Sequence, residues 1–300
     1  MFEYLMYLGA EFLATVFPLR QLYWIARRIA DINYFFDRKG RAAVRDNLRV
    51  ITGDSLDEDA LKKAVKRTYY HFSLYLAEFF RMKKLDSGYF DSHVTIVGIE
   101  HVDRALEHGK GAIVVSAHFS NWELGLAALS LKGYQPYVIV APHKNKKVNE
   151  LFLRPRVKAG ARPIFTENAI EGGYNALRSN GILILLGDRV TTKGGVETTF
   201  FGRAATFPKG PARFALGAHA PLIPAYIMRK PGNIFRITFE QPIWTDDMSD
   251  DDESLRRLMN VYARRFETYI RQDPTQYGVF YRIWQDADNS VRSVSNKDSV

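Results

Sequence analysis

Apolar positions recur at intervals of three and four along the first ninety residues, then contract into short β-branched runs beyond Gly88. Between residues 56 and 84, Leu61, Ala64, Val65, Thr68, Phe72, Tyr75, Leu76 and Phe79 make one helical face, and Lys62, Lys63, Lys66 and Arg67 lie on the other. The later runs "HVTIVG", "GAIVVS", "YQPYVIVA", "GILILLG", "APLIPAYIM" and "IFRITFEQPI" are bounded by Gly, Pro or Asn and read as strands. Helical patterns separate several of them: Asn121 to Leu131, Lys147 to Ala159, Ile170 to Ser179 and Pro211 to Gly217. This alternation predicts an α/β fold with a mostly parallel central sheet flanked by helices. A last amphipathic helix is expected over about Ser254 to Arg271, its start marked by Asp250 to Asp252. The expected organisation is therefore a helical region over 1–90, an α/β core over 91–285, and a polar, mobile tail over 286–300.

The first segment is too broken to be a clean membrane span. Met1 to Leu19 is apolar but carries Glu3 and Glu11 and ends at Pro18 and Arg20, short of the ~20 residues a spanning helix prefers. Glu3, Tyr7 and Glu11 form one polar stripe, with Phe2, Leu5, Leu8, Phe12, Leu13 and Val16 around the rest. That pattern fits a helix lying in a membrane interface, or a core helix followed by a solvated basic one. It lacks the basic start and small-residue cleavage site of a secretory signal, so the chain is expected on the cytoplasmic side. Arg27, Arg28, Arg38, Lys39, Arg41, Arg45 and Arg49 follow, and the whole chain has a formal charge of +9, so an anionic surface is the expected partner. The absence of Cys removes thiolate nucleophiles and Cys-ligated zinc.

Candidate chemistry is concentrated in "SAHFSNWE", residues 116–123, where an apolar strand gives way to a helix. His118 and Glu123 are five residues apart and would point about 140° away from each other on one helix. Ser120 to Glu123 fits a capping box, which puts His118 outside the helix and lets the Glu123 carboxylate lean back toward it. The same residues also serve as a plain helix cap beside an ordinary turn histidine. The position favours a site, because ligands of open α/β sheets gather beyond the strands' carboxyl ends. His143 and Lys144, and Asp188 and Arg189, end other strands in the same way. An imidazole steadied by a carboxylate removes a proton from a hydroxyl, and helix N-terminal N–H groups stabilise developing negative charge, which is equipment for acyl transfer. No G-x-S-x-G elbow or H-E-x-x-H zinc spacing is present, so no metal is expected.

"HFSNWE" resembles the His-x4-Asp/Glu motif of glycerolipid acyltransferases, and specifically the bacterial lipid A biosynthesis acyltransferase family. "RDNLRV", "RPRVKAG", "LLGDR", "TTFFGRAATFPKGPARFALGAHAPLIPAYIMR" and "QYGVFYRIW" follow the family's order, over about residues 1 to 285. The resemblance implies a glycerolipid acyltransferase-like core behind an N-terminal membrane-associated helix. It also implies an acyl thioester donor, acyl carrier protein or coenzyme A, and no cofactor. The implied acceptor is a hydroxyl on a phosphorylated glucosamine lipid or its attached acyl chain. The implied location is the cytoplasmic face of the bacterial inner membrane. By resemblance His118 is the catalytic base and Glu123 its partner, Arg156 belongs to an Arg-x3-Gly substrate-binding element ending at Gly160, and Asp188 is the acidic residue of a third motif. Many lipid A enzymes carry Asp-Gln where this chain has Asp188-Arg189, which is nearer the enzymes that acylate phosphatidylinositol mannosides.

Asn121, Arg189 and Lys209 complete the candidate substrate-binding set. Lys209 and Gly210 precede Pro211 at a helix start, which is an anion site or a packed turn. Lys144, Lys146, Lys147, Arg154, Lys158 and Arg162 form a basic strip with Arg156, opposed chiefly by Glu150. Asp188-Arg189 also fits a structural ion pair. The rival readings are a phosphatidylinositol mannoside or a lysophospholipid as acceptor, and a lipid-binding protein without catalysis. Nucleic acid is not an expected partner, since no recognition motif accompanies the charge.

Overall fold

In the computed structural model, residues 2–190 and 194–284 are described. The tail expected to be mobile, 286–300, lies outside them. Helices α1 (Phe2–Val16), α2 (Leu19–Phe36), α3 (Arg38–Thr52), α4 (Glu58–Arg81) and the short α5 (Ser87–His93) precede the sheet. The remainder alternates: β1 (Val94–Val97), α6 (Ile99–Glu107), β2 (Ala112–Ser116), α7 (Glu123–Leu131), β3 (Pro136–Val140), α8 (Lys146–Lys158), β4 (Arg162–Phe165), α9 (Ala169–Arg178) and β5 (Ile182–Leu186). A hairpin, β6 (Val196–Phe200) and β7 (Arg203–Phe207), then α10 (Gly210–Ala218), β8 (Leu222–Lys230), β9 (Ile234–Phe239) and α11 (Asp252–Ile270) complete the order.

The main sheet has seven strands in the order β1-β9-β8-β2-β5-β3-β4. All neighbours are parallel except β8 and β9, as a mostly parallel α/β fold requires. β2 lies at the centre, every residue buried. Ile113 and Val115 enter one core with Leu183, Phe214, Tyr262 and Phe266, while Ala112 and Val114 enter the other with Val102, Leu124 and Ile223. Burial on both faces explains why this strand reads as an unbroken apolar run. Fully burying each Phe or Leu contributes about 1.5–3 kcal/mol.

The sequence pattern misses β4 and the β6–β7 hairpin. β4 begins Arg162-Pro163, and the hairpin strand "VETTF" alternates too weakly to stand out. The acidic stretch before α11 works as expected, with the Asp251 carboxylate accepting from Ser254 N at 2.7 Å.

The helical layer has an inverted first member. On α1, Ala14 is buried and Tyr7 packs edge-on against Phe152 at 5.0 Å, so the side carrying Tyr7 and Glu11 faces the protein while Glu3 is exposed. Leu5, Met6, Leu8, Phe12 and Val16 are left exposed. On α2, Leu22, Tyr23 and Ala26 pack with Leu74, Tyr75 and Phe79 of α4. Among the described residues no helix is long and apolar enough to cross a membrane.

Candidate functional site

Strand register builds the centre of the site. β2 and β5 pair in parallel with Ser116 opposite Leu186, and Gly187 N donates to Ser116 O at 2.8 Å. Two residues further along each chain come His118 and Asp188, and the register sets them side by side. Asp188 Oδ1 lies 2.8 Å from His118 Nδ1, and Asp188 Oδ2 accepts from the His118 backbone N–H at 2.9 Å. One carboxylate therefore fixes both the backbone and the ring of the histidine. The His118 side chain is 18% exposed whereas that of Asp188 is fully buried, and no hydrogen bond joins Nε2 to a described residue. Trp122 packs edge-on against the ring at 5.0 Å and is itself laid against Tyr75 at 4.1 Å.

Burial alone would raise the Asp188 carboxyl, but charge attraction to His118 and the two His118 hydrogen bonds reverse this and hold it below the usual carboxylate range. Tyr262, Tyr277 and Tyr281 surround it. Burial first, and the Asp188 charge second, push all three phenols upward, so they stay neutral. The pocket thus holds one carboxylate whose charge is directed at the imidazole.

The expected contact between Glu123 and His118 is not formed. Glu123 is the first residue of α7, and the residue before it, Trp122, makes no side-chain cap. Ser120 takes a left-handed backbone at φ 56°, and its buried hydroxyl meets no partner, so the capping box is absent as well. A stronger partner has captured the carboxylate: Arg156 Nη2 donates to Glu123 Oε1 at 2.6 Å, and Arg156 Nε lies 3.1 Å from both oxygens. A forked guanidinium–carboxylate pair, shielded from water, outcompetes a reach back along the chain. Arg156, expected to bind substrate, is spent on this pair and lies over the Phe79 ring at 5.1 Å.

The Arg-x3-Gly spacing now has a geometric reason. Gly160, at φ +89°, ends α8 with Ala161 N bonded to Arg156 O and Gly160 N to Val157 O, both at 3.0 Å. This is a Schellman stop, which favours glycine because the left-handed conformation penalises a Cβ. A Cβ there would also come within 2.8 Å of Ser130 on α7. Gly160 therefore lets α8 close on α7 and brings Arg156 to Glu123.

Residues without an obvious motif support the turn from behind. Gly278 N donates to His118 O at 2.9 Å and Ser120 N to Gln276 O at 2.8 Å, so the "QYGVF" segment lies along it as a strap. Asn121, expected to bind substrate, is buried and donates from Nδ2 to Glu78 Oε2 at 2.8 Å. Glu78 also accepts from Arg229 Nη2 at 2.8 Å and from the Tyr23 hydroxyl at 2.5 Å. Glu78 and Arg229 escape sequence reasoning because each reads as a lone solvated charge in or beside an apolar run. A charge inside "LAEFF" and another closing "AYIMR" were the available signals.

The remaining candidates are exposed. Arg189 lies 5.5 Å from the Tyr281 ring centre while Asp188 is bonded to His118, so the alternative Asp188–Arg189 ion pair is not the arrangement seen. Lys209 is exposed immediately before α10, and its neighbour Pro208 accepts from Tyr262 Oη at 3.5 Å, close to the phenols around Asp188. His143 and Lys144 are exposed beyond β3. No group of three or more metal-ligating side chains occurs among the described residues.

The family described as bacterial lipid A biosynthesis acyltransferase matches residues 1–286. A phosphatidylinositol mannoside acyltransferase of Mycolicibacterium smegmatis is 27% identical over 269 residues, covering 85% of this chain and 83% of that protein. A protein of the same name from Mycobacterium tuberculosis is 28% identical over 64% of this chain and 63% of its own length. A lipid A biosynthesis acyltransferase of Haemophilus influenzae is 26% identical over 60% of this chain and 56% of its own. The crystal structure of a 1-acyl-sn-glycerophosphate acyltransferase from Thermotoga maritima covers 82% of this chain and 97% of that one at 17% identity and a TM-score of 0.41. With the match running through the helical layer, the sheet and the His118 turn, the chain belongs to the bacterial lipid A biosynthesis acyltransferase family and is an acyltransferase acting on lipids.

Proposed function

We propose that this chain moves a fatty acyl group from a thioester, on acyl carrier protein or coenzyme A, to a hydroxyl of an anionic glycolipid at the cytoplasmic face of the bacterial inner membrane. The observation that carries this reading is the 2.8 Å contact between His118 Nδ1 and buried Asp188, with Nε2 hydrogen-bonded to none of the described residues. Asp188 accepts from Nδ1–H, which assigns the tautomer with its lone pair on Nε2. Nε2 takes the proton of the acceptor hydroxyl as that oxygen attacks the thioester carbonyl. A C–O bond forms, the tetrahedral intermediate collapses, the C–S bond breaks, and the imidazolium returns its proton to the departing thiolate. Asp188 stabilises the imidazolium throughout. Every atom and proton is accounted for by the imidazole and the two substrates.

Glu123 acts at one remove. Its pair with Arg156 fixes the first turn of α7 against α8, and so fixes the floor on which His118 stands. Arg189 and Lys209, both exposed, are the cations that receive anionic parts of donor or acceptor. The outward apolar faces of α1 and α2 support peripheral seating at the bilayer.

A phosphorylated glucosamine lipid, a lipid A precursor, is the acceptor expected from the family. One observation favours a phosphatidylinositol mannoside instead: the relative matched over 85% of this chain carries that name. Incubating the full chain with acyl thioesters and each lipid, then weighing the products, separates the two. His118→Ala is expected to fold as before and to lose roughly 10²- to 10⁴-fold in product formation with whichever lipid is accepted. Undiminished turnover in that variant would overturn the mechanism.

A further inference from the structure

Where α2 turns into α3, the surface holds a cleft of about 460 Å³ lined by Tyr34, Phe35, Phe36, Arg38, Arg41 and Lys62. Three cations and three aromatic rings line it, without a carboxylate. We propose that this cleft is a seat for the phosphate of an anionic phospholipid in the bilayer, separate from the site at His118, with Phe35 and Phe36 entering the acyl region beside it.

Elsewhere in the same helical layer, several cations are neutralised, although exposed Arg27, Lys39 and Lys63 form no ion pair among the described residues either. Arg45 and Arg49 both pair with Glu58, and Arg28 and Lys66 both pair with Asp31. At the cleft they are not. Arg38 and Lys62 are exposed and form no ion pair within the described residues. The nearest acid in sequence, Asp37, is turned to Gly40 N at 2.8 Å and to the Tyr69 hydroxyl at 2.9 Å. Arg41 is already placed: its Nη1 donates to the carbonyls of Tyr34 and Phe35, closing the end of α2, and its guanidinium lies 5.2 Å from the Tyr34 ring centre. Two carbonyls do not neutralise it, so it offers a fixed positive charge at little cost in ordering.

The rings supply the second half of the recognition. Phe35 is 71% exposed and Phe36 74%, and they meet edge to face at 5.1 Å. Trp24, Ile29 and Ile32 continue the exposed apolar surface back along α2, over about 18 Å at the helical rise. Cations beside an apolar strip match a headgroup phosphate lying above acyl chains, whereas a soluble phosphate would satisfy the cations and leave the rings in water. The occupant is therefore a lipid within its bilayer. The opposite side of the same helix carries Tyr23, bonded to Glu78, so the helix that meets the bilayer also touches the network behind His118.

The test is sedimentation of the full chain with vesicles of phosphatidylcholine alone and of phosphatidylcholine mixed with phosphatidylglycerol. Arg38→Gln with Lys62→Gln is expected to lower partition onto the mixed vesicles about 30-fold, at roughly fivefold per cation. Phe35→Ser with Phe36→Ser is expected to lower it on both kinds of vesicle. All four side chains are exposed or, for the rings, mostly so, and unchanged circular dichroism checks the fold. An equal loss from the control pair Arg203→Gln with Lys230→Gln would overturn the seat in favour of diffuse charge. So would wild-type binding by either cleft variant, or full release of the chain from vesicles by millimolar glycerol phosphate at constant ionic strength. The measurement reads binding alone, so it stands or falls independently of the role given to His118.

Discussion

Replacing Asp188 by Asn is expected to leave a folded protein whose acyl transfer is slower by roughly 10³- to 10⁴-fold. The substitution keeps the shape of the side chain and the hydrogen bond to His118 N, but it removes the charge that stabilises the imidazolium and turns an amide N–H toward Nδ1, which favours the other tautomer. Asp188 is fully buried with its charge turned on His118, so solvent does not screen the interaction that is lost. A pH experiment separates this from simple damage. The folded carboxyl is held below its ordinary value, so its contribution to stability is fully present above the usual carboxylate range, ~3.9, and is lost as pH falls through the depressed folded value. In Asp188→Asn that part of the acid limb should disappear from a plot of stability against pH. Wild-type turnover in Asp188→Asn would remove Asp188 from the mechanism, whatever the histidine does.

Glu123→Ala is expected to be mainly a stability mutant, losing about 3–5 kcal/mol in denaturant titration. Glu123 is 3% exposed, and its removal leaves the Arg156 guanidinium enclosed beside Phe79 without a counter-charge. The compensated double variant, Glu123→Leu with Arg156→Met, should recover most of the stability because neither charge then remains. If Glu123 serves by holding α7 against α8, turnover returns with the fold. A stable double variant without turnover would instead return Glu123 or Arg156 to direct work on the substrates. The sequence expectation that Glu123 steadies the imidazole predicts loss of activity without loss of fold, the opposite of what the observed pairing predicts.

The difference between those expectations lies in what local spacing is able to specify. "SNWE" fits a capping box, yet Ser120 adopts a left-handed backbone and the helix begins at Glu123. A capping box contributes about one hydrogen bond at each end, whereas a buried forked pair with Arg156 brings opposite charges together away from water. The competitor stands 33 residues away in sequence, out of reach of any window centred on the turn. Asp188 was visible as an acidic residue at a strand end, but its proximity to His118 depends on β5 lying next to β2. The two strands are separated in the chain by β3 and β4, which pair further out in the sheet.

By itself the sequence determined the elements and the kind of surface they make. Periods of 3.6 and 2 are local consequences of backbone geometry, so the helical start, the buried central strands and the amphipathic α11 were legible from side-chain pattern alone. His118 was legible too, as a polar residue just past an apolar strand. Tertiary structure decided who faces whom. Strand order gave His118 its carboxylate, the Schellman stop at Gly160 gave Glu123 its arginine, and folding of α4 and β8 around Asn121 buried Glu78 with Arg229. Such pairings depend on distances between segments far apart in the chain, and those distances exist only after the sheet has closed.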